Sequence, residues 1–278
     1  MEIGLTIFLT DRTIGSVELA REAEARGFSS LWVPEHTHIP VSRRTPAPTG
    51  EAELPEEYLR CLDPLVALTA AAVATERLRI GSGVSLVAQH HPIDYAKAWA
   101  TLDLVSGGRA RFGVGFGWNV EEMAAHGVAY PTRREQAREH VLAMQALWSA
   151  AEASFSGNYV DFEPSYSWPK PVQQPRIPTL IGGGAGPKLF AHVAEWADGW
   201  MPIGGRGIRD ALPALREAWA EAGRGGEPQV IPFGTVPSQQ KLAYYASVGC
   251  TEVVLRVPAV GRDHALRTLD SYAVFIGS

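Results

Sequence analysis

Cysteine is nearly missing from this chain of 278 residues, which holds only Cys61 and Cys250. The two lie far apart with no ligand spacing, so they read as reduced thiols in a cytoplasmic protein rather than a disulfide or metal framework. Lysine is as scarce, confined to Lys97, Lys170, Lys188 and Lys241. Positive charge is not in excess either. The formal net charge of −5 argues against nucleic acid or an anionic membrane as the main partner. No apolar run is long: Leu65–Ala74 reaches about half of the roughly 20 residues a membrane span needs. Met1 leads straight into strand-like residues, which leaves no room for a signal peptide. With 46% hydrophobic and 20% charged residues the chain is able to bury a large core, and disorder is excluded.

What is present alternates. Strand-like runs at residues 2–8, 28–33, 78–86, 110–117, 179–182, 199–202, 230–233 and 252–257 are each followed by a helical segment. Those helices are placed at 16–26, 64–75, 93–105, 132–150, 187–197, 209–222, 238–248 and 262–276, and Thr132 with Glu135 suggests a capping box at the fourth. The strands are apolar throughout rather than alternating, as in a parallel sheet buried on both faces. Eight such units at this length predict one α/β domain over 1–278, a (β/α)8 TIM-type barrel. An open doubly wound sheet would carry a glycine fingerprint after its first strand, where Phe8-Leu9-Thr10-Asp11 stands instead. Two insertions depart from the minimal unit: residues 37–62 after strand two and 155–176 before strand five. Each is read as either a lid or surface decoration.

Few residues offer themselves for chemistry. Strand two ends Glu35-His36-Thr37-His38, where a barrel keeps catalytic groups. A His-x-His metal site needs further ligands on other strand ends. Those ends are glycines, Met201-Pro202 and Arg256-Val257-Pro258, so no metal is expected. A catalytic and a plain hydrogen-bonding role both stay open for these histidines. Schiff-base chemistry lacks a strand-end lysine, and there is no serine nucleophile elbow. Glycine is the informative type: Gly81-Ser82-Gly83-Val84, Gly113 to Gly117 before Trp118-Asn119, and Gly182-Gly183-Gly184-Ala185-Gly186 crowd strands three to five. Glycine within a strand marks a bulge or a close approach. These residues either serve tight turns or open space for a flat ring. The last run enters a helix with Pro187 at its first turn, so free N–H groups and the positive helix end suit a phosphate.

In this order these segments resemble the bacterial-luciferase-like superfamily, in its coenzyme F420-dependent oxidoreductase branch. The resemblance covers nearly the whole chain. It is carried by Trp32–His36, Gly81–Val84 with His91-Pro92, Ala100–Arg109, Gly113–Trp118, and Gly182–Pro187 with Ala197–Trp200. It implies a deazaflavin or flavin in the C-terminal mouth of the barrel. The ring lies against Gly83, Val84, Gly115, Gly117, Trp118 and Asn119, and the phosphate near Gly182, Gly183, Gly184 and Gly186. It also implies a bulge or a non-proline cis bond at Gly83-Val84, a homodimer, and His36 beside the reactive ring carbon, with Glu35 as a second catalytic candidate. The expected activity is F420-dependent hydride transfer with a small-molecule substrate. An FMN-dependent monooxygenase and a non-catalytic flavin-binding protein are the alternatives. Sugar-phosphate dehydrogenases of the family carry a glutamate where Trp118 stands, so their proton donor is lost here and Asn119, Glu121 or Glu122 become its possible replacements.

Overall fold

The computed structural model describes residues 1–48 and 53–277. The elements are β1 (Glu2–Thr6), α1 (Ser16–Ala25), β2 (Ser30–Val33), α2 (Glu56–Leu59), α3 (Pro64–Val73), β3 (Arg79–Ser82), α4 (Pro92–Val105) and β4 (Ala110–Val114). They continue with α5 (Val120–Ala125), α6 (Arg133–Ser149), β5 (Ala153–Ser156), β6 (Asp161–Ser165), β7 (Thr179–Gly182), α7 (Pro187–Trp196), β8 (Gly199–Met201) and α8 (Ile208–Glu221). The chain closes with β9 (Gln229–Val230), β10 (Phe233–Thr235), α9 (Gln239–Ser247), β11 (Glu252–Arg256) and α10 (Arg262–Ala273).

The main sheet runs β10-β11-β1-β2-β3-β4-β7-β8-β9, and every pairing in it is parallel. It curls. Its two outermost strands, β9 and β10, belong to one stretch of chain interrupted only by Ile231 and Pro232. The single strand expected over 230–233 is thus split. Proline has no N–H for the ladder, which is one reason for the break.

Burial on both faces explains the uniformly apolar strands. Inside the curl, Trp32, Leu180, Met201, Ile231, Phe233 and Val254 form a separate apolar cluster. Outside it, the larger core joins the sheet to the helices, with Trp99, Phe112 and Trp148 in ring contact. Helix α8 shows the logic of the outer layer. Ile208, Leu212, Leu215 and Trp219 share its buried stripe at helical spacing. Helix α3 starts where Asp63 accepts the Val66 N–H at 2.9 Å and Pro64 takes the first turn.

One expectation is revised, and both insertions contain regular structure. The capping box at α6 does not form, because the Thr132 hydroxyl donates backwards to Ala129 O in the preceding 3-10 turn. The stretch before β7 is not structureless: β5 and β6 make an antiparallel hairpin. The first insertion contains the short helix α2, while its residues 49–52 lie outside the described residues. Among the described residues no helix is long and apolar enough to cross a membrane.

Candidate active site at the strand ends

The C-terminal end of β3 is irregular. Gly81 pairs with Arg111 and Ser85 bridges to Val114, so four steps on this strand face three on β4. That is a one-residue bulge. It contains the Gly83-Val84 bond, which is cis. The bulge is pinned by Gly83 N–H to Val33 O at 2.7 Å and by Ser85 N–H to Gly113 O at 2.7 Å.

The glycines around it are required, though not to leave empty space. A Cβ on Gly115 would stand 2.3 Å from Val84 Cγ2, and one on Gly182 2.8 Å from Val84 Cγ1. One on Gly83 would stand 2.3 Å from the Phe233 ring, one on Gly113 2.0 Å from Ser82 O, and one on Gly81 2.5 Å from the Trp32 ring. The expectation that these positions clear room for a flat ring is corrected. Val84, Phe233, Ser82 and Trp32 already fill that room, and the glycines allow the bulge to sit against its neighbours. Gly117 has φ +76°, a left-handed conformation that glycine adopts freely.

Beyond β2, consecutive residues meet different partners. Glu35 is buried and fully engaged: Oε2 accepts the Leu86 N–H at 2.6 Å and Oε1 lies 2.6 Å from His90 Nε2. His36 is paired elsewhere. Its Nδ1 lies 2.8 Å from Glu122 Oε2, and the two side chains are 7% and 1% exposed. A carboxylate accepts, so Nδ1 carries the hydrogen of this bond and Nε2 is the ring nitrogen left to meet another partner. The second oxygen of Glu122 and the Asn119 amide nitrogen are both buried without a partner among the described residues. Asn119 caps α5, its Oδ1 accepting the Glu122 N–H at 3.4 Å, which fixes where that carboxylate stands. Glu121 is spent elsewhere, accepting from Arg44 N–H and the Thr45 hydroxyl, and these bonds hold its carboxyl down at about 2.

Aromatic rings wall the same side. His36 lies 5.2 Å from Tyr58 and 5.8 Å from Trp118, and Tyr58 lies 4.7 Å from Phe8. Burial raises the Tyr58 phenol, which therefore keeps its proton. Burial pushes the nearby Cys61 thiol up to about 12. This excludes it as a nucleophile near neutral pH. His38 faces Thr37 and His126 instead. Sequence reasoning missed Phe8 and Tyr58, which have no motif to betray them.

The glycine turn after β7 is open. Gly183 N–H bonds to Met201 O at 3.3 Å, and its carbonyl accepts from Trp200 Nε1 at 2.8 Å. A Cβ on Gly184 or Gly186 would meet nothing within 4 Å. Helix α7 begins directly after Gly186 with Pro187, so its first N–H groups have no intrahelical acceptor. Lys188 is exposed. Arg134 lies over the Phe116 ring at 4.7 Å, and its Nη1 is buried without a partner among the described residues. A cavity of about 320 Å³ is lined by His90, His91, His126, Gln136 and His140 among others, and two of these, His90 and His126, bond to Glu35 and Thr37. Among the described residues no three His, Cys, Asp or Glu side chains are grouped so as to hold a metal ion.

Comparison with known proteins adds the following. A family model described as luciferase-like monooxygenase matches residues 14–241. A Mycobacterium tuberculosis protein of uncharacterised activity is 45% identical over 276 residues, 98% of each chain. An F420-dependent glucose-6-phosphate dehydrogenase of Kineococcus radiotolerans is 30% identical over 215 residues, 74% of this chain and 58% of that protein. Among solved structures, a Streptomyces bottropensis monooxygenase superposes with a TM-score of 0.79 at 20% identity, covering 99% of this chain and 98% of that one. An F420-dependent secondary alcohol dehydrogenase with an F420-acetone adduct superposes at 0.78 and 17% identity, with the same coverage. At such identities the likeness is one of fold.

Proposed function

The chain belongs to the luciferase-like monooxygenase family, and on that footing we propose that it is an F420-dependent oxidoreductase exchanging a hydride with a small organic substrate. The observation that carries this reading is the buried His36–Glu122 pair at the end of β2, facing half-buried rings beside the β3 bulge. We read the curled sheet as a (β/α)8 barrel in which β9 and β10 count as one stave. The pair then stands at its C-terminal mouth, where barrel chemistry takes place.

The residues present fit a phosphate-bearing deazaflavin. Gly184 and Gly186 leave open approach to the N-terminus of α7, a setting for an anion. Gly182 and Gly183 complete that turn. On the ring side we assign Gly83, Val84, Gly117 and Trp118, with Gly115 acting through the Val84 side chain it receives and Asn119 by setting Glu122. Bound F420 supplies hydride chemistry at one ring carbon. The chain's part is to move the proton. Glu122 fixes His36 with hydrogen on Nδ1, and Nε2 takes or returns the proton of a substrate hydroxyl. Glu35 has no free oxygen for this, and we assign it to holding the segment in place. The turn offers only glycine and alanine, with no hydroxyl donors, which favours F420 over FMN. We further assign a cytoplasmic homodimer, with the exposed Val66 and Val73 of α3 and Leu104 and Val105 of α4 at its contact.

Parallel titrations with F420, FMN and FAD test the cofactor. We expect F420 to bind most tightly. Gly184→Val, whose added carbon meets open space in the protein alone, is expected to weaken binding far more than Lys188→Ala, which removes one screened charge. Tight FMN binding with no F420 binding would replace the cofactor and leave the turn as its phosphate site. F420 binding without turnover of any donor or acceptor would leave a flavin-binding protein.

A further inference from the structure

His36 and three other rings, from four separate segments, converge here. Phe8 follows β1, His36 follows β2, Tyr58 sits on α2 of the insertion, and Trp118 follows β4. Tyr58 and Trp118 meet edge to face, with centroids 6.2 Å apart and planes at 81°. Phe8, Tyr58 and Trp118 are half-buried, so each keeps part of its surface for something else, while the His36 side chain is more deeply buried. The Tyr58 hydroxyl makes no hydrogen bond among the described residues.

The charges around this wall cancel one another. Arg12 pairs with Glu56, Arg60 with Asp11 at 2.6 Å and Glu56 at 2.9 Å, and Arg256 with Glu57 at 3.2 Å. Arg256 and Glu57 are the charged groups that act most strongly on Tyr58. Each of these three arginines already faces a carboxylate. The Glu122 carboxylate beside His36, with one oxygen on Nδ1 and the other without a partner among the described residues, would repel an anion. A site built from π-faces and one imidazole recognises a flat, uncharged, apolar body that carries one oxygen.

We propose that the substrate of this site is a neutral alcohol or carbonyl compound bearing an aromatic or similarly flat apolar group, held against Tyr58 and Trp118 with its oxygen at His36. Tyr58 is the residue that sets this specificity. This inference rests on the oxidoreductase reading above. It separates this chain from its relative named for glucose 6-phosphate, because the three arginines described around Tyr58 already face carboxylates.

Binding of acetophenone and 1-phenylethanol to the whole protein, followed by ligand-observed NMR and calorimetry with and without F420, tests the proposal. We expect both to bind without F420, glucose 6-phosphate neither to bind nor to compete, and Tyr58→Ala to weaken binding about tenfold or more. Tyr58→Phe keeps the ring and is expected to retain affinity, and a circular-dichroism melt of each variant verifies folding. Competition by glucose 6-phosphate, unchanged affinity in Tyr58→Ala, or equal losses in both Tyr58 variants would each overturn the proposal. F420 binding is read separately from its own absorbance. Its failure alone would remove the cofactor and leave the aromatic site standing.

Discussion

At the scale of single residues, the proposed chemistry rests on a pair that the linear sequence keeps 86 positions apart. Strand-end placement was enough to single out His36, and loss of an acid at Trp118 pointed to three substitutes. Only packing separates them: Glu121 is tied to the 44–45 backbone and Thr45, Asn119 caps a helix, and Glu122 reaches the imidazole. Glu35 looked equivalent to His36 in sequence because they are neighbours. Their different partners give them different fates: Glu35 meets Leu86 N–H and His90, and His36 meets Glu122. With F420 saturating, His36→Ala is expected to lower kcat by about 10²-fold or more, as for loss of a general base. Glu122→Ala is expected to approach that loss. Glu122→Gln, whose amide oxygen still accepts from Nδ1, is expected to lose only about tenfold. Steady-state rates on variants with native melting curves measure this. A Gln variant as damaged as the Ala variant would mean that charge rather than orientation is what Glu122 supplies.

At the scale of elements, the strand runs were legible because both faces are buried and continuous apolar stretches follow. Short or interrupted pieces were not. Helix α5 has six residues, too few for a helical period to emerge. The β5–β6 hairpin lies in a segment rich in proline and aromatics, and Pro232 divides a strand whose apolar pattern runs through it. The alternative that the glycines of strands three and four open space does not hold for Gly81, Gly83, Gly113 and Gly115. Their crowding around Val84, Phe233 and Ser82 depends on neighbours that only the folded sheet brings near. This yields a contrast in stability. Gly115→Ala drives a methyl into Val84 and is expected to cost about 1–3 kcal/mol, as overpacking does. Gly184→Ala places its methyl in open space and is expected to change stability by less than about 0.5 kcal/mol. Urea unfolding of the two variants decides between this account and one in which both glycines serve only turn geometry.

At the scale of the whole molecule, acid is expected to unfold the protein in two stages. Burial lowers the pKa of His140, whose Nδ1–H donates to Val87 O at 3.1 Å. Burial and then the charge of Arg134 lower that of His192. A histidine kept neutral by the fold contributes stability that is complete above the unfolded value of about 6.5 and is lost as pH falls through the folded value. Glu24 and Glu139 come next. Burial would raise both, yet three backbone donors on each outweigh it and the net shift is downward. Their contribution is present above the ordinary carboxylate range and lost below it. Thermal melts from pH 8 to 3.5 should therefore be flat near neutrality, decline below about 6.5, and fall again below about 4.5. His140→Gln should flatten the first decline. A melting temperature unchanged between pH 7 and 5 would contradict this order.

The separate partners of Glu35 and His36 carry a last implication. His90, which holds Glu35, and His126, which meets Thr37, both line the 320 Å³ cavity, while His36 belongs to the ring-walled mouth. The 35–38 backbone thus serves two rooms, one directly through His36 and one through its bonds to His90 and His126. It cannot be moved for one without being moved for the other, so substitutions on its two sides are expected to depart from additivity even though their side chains never touch. A lineage that reshapes the substrate mouth through this segment must renovate the histidine-lined cavity in the same steps.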